Sequence, residues 1–231
     1  MIEIVTLCAN ASRGAVALEC EWLGGKCGGA PAIVFLAKGT IDPSSDWPAR
    51  LVRTLGLRGL VCGLAGGLSL RDQARDILPA LFEALDIDPR MWIVGYREGA
   101  TIALLYAAEH PRGLAGAILI APRMFSQSPQ VAHLLRARAA FEPAKLRERF
   151  ACHAAHHEWT IEGELHGLRC PLLAIRDFPD DDGSAASHID LLELHAHRAD
   201  RLETHAHEGT AEFPPLDPMI RFISAHSPLS R

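Results

Sequence analysis

Apolar positions along this chain fall into short continuous runs separated by longer stretches in which they recur every three or four residues. Residues 2–7 and 15–22 read as strands, and the segment Asn10, Ala11, Ser12, Arg13, Gly14 between them supplies a turn, so the chain opens on an antiparallel hairpin. Residues 32–36 are apolar throughout, as a strand buried on both faces requires, and a loop rich in Gly, Pro and Ser leads from them into a helix over 47–55. A strand over 59–62 follows. Ser69 then caps a helix over 70–85, with Arg71, Asp72, Arg75 and Asp76 on its wet side and Ile77, Leu78, Leu81 and Leu85 repeating at helical spacing.

Residues 91–94 form the next predicted strand, 95–99 a turn, 100–109 a helix that stops before Pro111, and 114–120 a further strand. From 124 to 166 the strand signal disappears. Helical patterns at 131–141 and 144–157 predict instead a cap over the sheet edge, inserted at about 124–168. The alternation resumes with a strand at 171–175, a helix at 189–198, a strand at 201–204 and a helix at 216–224. These elements predict one α/β domain over 1–231. Its architecture is a three-layer α/β/α sandwich on a mostly parallel eight-stranded sheet, with an N-terminal antiparallel hairpin and a small helical cap.

Composition narrows the partners. A formal charge of -5 over 231 residues leaves no basic surplus to neutralise a phosphate backbone, so nucleic acid is not expected as a partner. No apolar run approaches the roughly 20 residues that span a bilayer, and Met1, Ile2, Glu3, Ile4, Val5 is acidic where a leader would be basic; no membrane partner and a cytoplasmic location are expected. The cysteines Cys8, Cys20, Cys27, Cys62, Cys152 and Cys170 show neither a CxxC pair nor zinc spacing, and are read as mostly reduced and buried.

The stretch with the most chemistry in it is Val94, Gly95, Tyr96, Arg97, Glu98, Gly99, Ala100, between a strand and an alanine-rich helix. Glycines at 95 and 99 let the backbone turn tightly, and the helix directs its first N–H groups at the turn. This stretch resembles the Gly-x-Ser-x-Gly nucleophile elbow of the α/β-hydrolase superfamily, with Arg97 where the serine stands. The resemblance extends over nearly the whole chain. It implies that His207, followed by Glu212 and Pro214 ahead of the last helix, matches the catalytic histidine, although the residue before it is Ala206 where the family usually has glycine. It also implies that Asp180 matches the catalytic acid after the strand at 171–175, with Asp181 and Asp182 as alternatives under a small register shift.

Other parts depart from the family pattern together. Ala37, Lys38 and Gly39 replace the usual His-Gly oxyanion loop, the loop over 63–68 after the strand at 59–62 is short, and the cap is abbreviated near 157–163. Lys38, Gly39, Tyr96, Arg97 and Glu98 are therefore the candidate ligand-binding set.

Arginine stays protonated and offers only donors, so acyl-enzyme chemistry at position 97 is excluded. Arg97 either fills a dead pocket, pairing with Asp180 or Glu98, or forks onto a carboxylate or phosphate ligand beside the helix N-terminus. Either way its charge should need an anionic partner beneath the cap. The leading expectation is a non-hydrolytic binding or scaffold homologue of the hydrolases. The alternative is a hydrolase or lyase on a small carboxylate, with Asp180 orienting His207 as general base and Arg97 clamping the anion.

No metal or cofactor is expected. His205 and His207 would share a strand face near Asp180, but His195 and His197 lie two apart on the predicted helix and diverge, so the histidines read as solvated side chains. Cys62 is a nucleophile candidate by location alone, against the reading of a small buried residue. A small anionic ligand is the expected partner. A homodimer or a partner enzyme would follow if Met124, Phe125, Leu134 and Leu135 stood exposed on the cap.

Overall fold

A computed structural model describes residues 2–8, 15–24, 32–37, 46–111, 113–127, 157–176, 184–206 and 214–226. Strand β1 (Ile2–Cys8) pairs antiparallel with β2 (Ala15–Leu23), Ile2 facing Glu21 and Cys8 facing Ala15, as the hairpin reading requires. The later strands are β3 (Ile33–Ala37), β4 (Gly59–Gly63), β5 (Trp92–Tyr96), β6 (Gly116–Ile120), β9 (Leu172–Arg176) and β10 (Leu202–Ala206). Together with the hairpin they form one sheet in the order β1-β2-β4-β3-β5-β6-β9-β10, parallel from β4 onward. The predicted eight strands are all present, each end within a few residues of its expected place.

Side chains of the central strands alternate between two apolar layers, the period-two consequence of the pleat. Val34, Leu36, Ile93, Leu119 and Ala174 pack on one face with α2, a helical segment built from Leu70–Asp72, a π turn Gln73–Ile77 and Leu78–Ala84. The same layer holds α3 (Glu98–Glu109) and α5 (Ser184–His195). Ile33, Phe35, Trp92, Val94, Ile118 and Ile175 pack on the other face with α1 (Trp47–Leu55) and α6 (Leu216–His226). Helix α3 is buried from Gly99 to Ala107, which is why its sequence is apolar all round and shows no wet stripe. Fully burying a side chain such as Ile102 or Leu104 contributes about 1.5–3 kcal/mol.

Local signals set the helix ends. Ser69 Oγ accepts from the Asp72 N–H at 3.1 Å, the predicted cap, and α1 stops at Gly56, whose φ of 64° only glycine adopts cheaply.

Three expectations are corrected. Strands do occur within 124–166: β7 (Phe125–Gln127) pairs antiparallel with β8 (His157–Thr160), and the Ile161 N–H donates to the Met124 carbonyl at 2.9 Å. Strands of three and four residues are too short for alternation to register. Met124 and Phe125, expected to be exposed on a cap, are buried at 0% and 4% exposure, so they offer no surface to a second copy. Helix α5 begins at Ser184 and ends at His195, earlier than the expected 189–198, because its first turn of small residues carries no apolar period. The predicted helices at 131–141 and 144–157 lie outside the described residues except for His157 in β8, and Leu134 and Leu135 lie outside them as well.

Candidate functional site

Parallel strands deliver their following loops to one edge. Leu36 faces Gly95, Ala37 faces Gly63, Tyr96 faces Ile120, Ile120 faces Ile175 and Arg176 faces Ala206, so the carboxyl ends of β3, β4, β5, β6, β9 and β10 are aligned. Ligands of open α/β sheets bind outside this edge.

Between β5 and α3 stands a single residue, Arg97, at φ 51° and ψ -110°. For a side chain with a Cβ this is a sparsely populated conformation costing on the order of 1–3 kcal/mol. The surroundings impose it. A Cβ on Gly95 would lie 2.3 Å from the Gly99 carbonyl oxygen, and a Cβ on Gly99 would lie 2.2 Å from the Leu36 carbonyl oxygen, so β5, β3 and α3 approach one another closely enough to demand both glycines. Backbone hydrogen bonds hold the turn: the Arg97 N–H donates to Ile120 at 2.8 Å, while the N–H groups of Ala100 and Thr101 donate to the Arg97 carbonyl.

The Arg97 side chain is exposed, and most of the segment expected to cap it lies outside the described residues. Its Cζ lies 5.2 Å from the centre of the half-buried Tyr96 ring, a cation–π contact, and Glu98 opens α3 as a half-buried acid in the first turn.

Neighbouring segments are fixed by buried polar groups. Thr101, fully buried on α3, donates through its hydroxyl to the Arg123 carbonyl at 2.6 Å, and Ala121 at the end of β6 takes a φ of 50°. Gln73, buried in the π turn, accepts from the Ala65 N–H at 2.9 Å and donates to the Leu68 carbonyl at 3.3 Å. That residue secures the short loop after β4, a role its polar identity on an apolar face could have signalled.

Of the other residues singled out in the sequence, Lys38, Gly39, Asp180, Asp181, Asp182 and His207 lie outside the described residues. Cys62 is a core residue, as the reading of a small buried side chain expected: it is fully buried, and contact with Cys20 together with burial pushes its thiol well above the ordinary range. Its Sγ lies 3.9 Å from that of Cys20, whose own thiol the same contact lowers. Both are free, as is the buried Cys170, whose thiol burial pushes up to about 12.

Sequence reasoning also missed a gathering of imidazoles. His195 closes α5 and His197 lies in the turn beyond it, so helical spacing does not separate them; both flank His166, with ring centres 5.1 Å and 5.6 Å from it. Glu162, in α4 (Glu162–Leu165), puts Oε1 2.9 Å from His195 Nε2. Desolvation lowers the His195 pKa, the Glu162 charge opposes that, and the two neighbouring histidines add to it.

No family profile matches this chain, and no curated protein matches it by sequence. Solved structures do match. A hydrolase from Pseudomonas aeruginosa PA01 is 22% identical with a TM-score of 0.61, covering 99% of each chain. An enol-lactonase from Burkholderia xenovorans LB400 is 15% identical with a TM-score of 0.62, covering 96% of this chain and 99% of its own. An esterase from Thermogutta terrifontis, solved with malate bound, is 18% identical with a TM-score of 0.58, covering 96% of each. This likeness and the sheet order establish that the chain has the α/β-hydrolase fold, one whose neighbours here include hydrolytic enzymes.

Proposed function

We propose that this chain is a non-hydrolytic protein of the α/β-hydrolase fold, a binding or scaffold homologue in which Arg97 stands at the nucleophile position and holds a small anion. One observation carries the reading: the strained turn at φ 51° and ψ -110° between β5 and α3, which in this fold presents the nucleophile, here presents an arginine. A hydroxyl or thiol at that point attacks a carbonyl after losing a proton. A guanidinium has no such proton to lose near neutral pH and no lone pair to offer.

What remains is suited to capture. The guanidinium offers a planar fork to a carboxylate or phosphate, the first turn of α3 adds the positive end of its dipole, and the Tyr96 ring holds the cation in a cation–π contact. Lys38 and Gly39 directly follow β3, the strand beside β5, and would complete the ligand-binding set with Glu98 as its acidic border. Labelling with a fluorophosphonate probe tests the non-hydrolytic part: no adduct is expected on any serine, and no turnover on a panel of simple esters. A labelled serine, or esterase activity that survives purification, overturns it.

A second reading, a hydrolase or lyase on a small carboxylate, is favoured by one feature. Ala206 pairs with Arg176, so His207 and the segment that carries Asp180 continue from neighbouring strand ends, where an acid could orient an imidazole as general base. His207→Ala distinguishes the two. Loss of a measurable turnover with the fold retained supports the enzyme, and absence of turnover in the wild-type protein removes it.

A further inference from the structure

We propose that Cys20 and Cys62 are a peroxide-reactive dithiol, which closes reversibly into a disulfide across the seam between the N-terminal hairpin and the parallel sheet. Cys20 lies in β2 and Cys62 in β4, directly opposite each other on neighbouring antiparallel strands. Their Sγ atoms are 3.9 Å apart, both side chains are fully buried in the same apolar layer, and both thiols are free.

The backbone already has the spacing that a disulfide needs. Residues facing each other across an antiparallel pair have Cα atoms about 4.5–5.5 Å apart, inside the range of about 4.4–6.8 Å that a disulfide spans. Bond formation asks only that the two sulfurs close by about 1.9 Å, to about 2.0 Å. Turning both side chains toward each other about their Cα–Cβ bonds supplies that travel while the strands keep their register.

The position in the sheet gives an oxidant its way in. β2 faces β1 from Ala15 to Glu21 but faces β4 only from Cys20 to Leu23, so the hairpin is hydrogen-bonded to the rest of the sheet through that short ladder. Local opening of the ladder exposes both thiols to a molecule as small as a peroxide, and a disulfide at its end fastens it. The bond would lie in the row that runs from Glu3 through Cys20, Cys62 and Leu36 to Gly95, the first glycine of the elbow.

Cys20 is the sulfur that reacts first. Contact with Cys62 lowers its thiol, against the opposing effects of burial and the Glu3 carboxylate, while Cys62 keeps its proton well above the ordinary range. The Cys20 thiolate attacks one peroxide oxygen: an S–O bond forms, the O–O bond breaks, and the departing hydroxide takes up the proton that Cys20 released, as water. The Cys62 sulfur then attacks the sulfur of this sulfenic acid. An S–S bond forms, the S–O bond breaks, and the hydroxide leaves with the Cys62 proton as a second water. Two thiols and one peroxide thus become one disulfide and two waters, the sulfurs giving up the two electrons that reduce the peroxide. A thiol reductant reverses the bond by exchange.

The full chain in its native state would be treated with hydrogen peroxide, its remaining thiols blocked in denaturant, and its cysteines mapped by mass spectrometry. A peptide pair linked through Cys20 and Cys62 is expected, lost on reduction with dithiothreitol. The bond joins residues 42 apart in sequence, so the oxidised protein should unfold in urea at a midpoint about 1 M above the reduced one and return to the lower value on reduction. Cys62→Ala should keep the fold by circular dichroism, give no linked pair and lose the rise in midpoint. Cys20 and Cys62 recovered as free thiols, either of them linked to another cysteine, or an oxidised protein no more stable than the reduced one would each overturn the proposal.

Discussion

Replacing Arg97 by glycine and, separately, by alanine measures the strain at the elbow. At φ 51° and ψ -110° a Cβ costs on the order of 1–3 kcal/mol, which alanine keeps and glycine relieves. Both substitutions lose the exposed cation–π contact with Tyr96, about 0.5–1 kcal/mol, so that loss cancels between them. Glycine also gains freedom in the unfolded chain, which costs the folded state about 0.4–1 kcal/mol. The difference leaves the glycine variant more stable than the alanine variant by about 1 kcal/mol, the reverse of the ordinary order in regular structure. Urea unfolding followed by circular dichroism reads it: with a slope of about 2–3 kcal/mol/M, the glycine variant should unfold at a midpoint about 0.3–0.5 M higher. An alanine variant as stable as the glycine variant, or more so, would refute the claim that the turn is strained.

Three further outcomes follow from the packing around the site. In Gly99→Ala the new Cβ on α3 meets the backbone of β3 at 2.2 Å in the middle of the sheet, where neither the strand nor the buried helix can yield; a loss of at least about 3 kcal/mol is expected, seen as a fall in Tm of about 6–12 °C. Gln73→Leu leaves the Ala65 N–H without its acceptor and should cost about 1–3 kcal/mol in chemical unfolding, with faster amide exchange in the loop at 64–68. Cys170 should resist iodoacetamide in the native protein at pH 8 and react once unfolded. Its thiol is raised from 9.0 to about 12, so the folded state holds the proton that the unfolded state releases; the resulting stability is complete below pH 9 and is lost as pH rises toward 12. Relative to Cys170→Ala, the wild type should lose up to about 1.4 kcal/mol per pH unit across that window.

The parts of the fold that were readable in the sequence are those where one physical demand acts alone. β3, β5, β6 and β9 are buried on both faces and so read as unbroken apolar runs, and the elbow was recognisable because two close backbone approaches leave glycine as the only residue at 95 and 99. The rest depended on several demands at once. β7 and β8 exist because they pair with each other, which three and four residues cannot announce. Met124 and Phe125 looked like cap surface until β7 and β8 folded them against the core and His188 accepted the Met124 N–H at 3.2 Å. The imidazole cluster escaped notice because the pattern placed both His195 and His197 inside one helix; the helix ends at His195, and the turn brings His197 round to His166. Arg97 was expected beneath a helical cap, and it is exposed while most of that segment lies outside the described residues.

The central claim is that the charge on Arg97 is there to receive an anion. The direct measurement follows the side-chain Nε–H resonance of Arg97, identified by its absence in Arg97→Gln, while isotope-labelled protein is titrated first with malate and then with inorganic phosphate. The account predicts a saturating shift of that resonance with a Kd of about 1 mM or tighter, weakening as salt is added. A resonance that does not move at about 10 mM of either anion would contradict it.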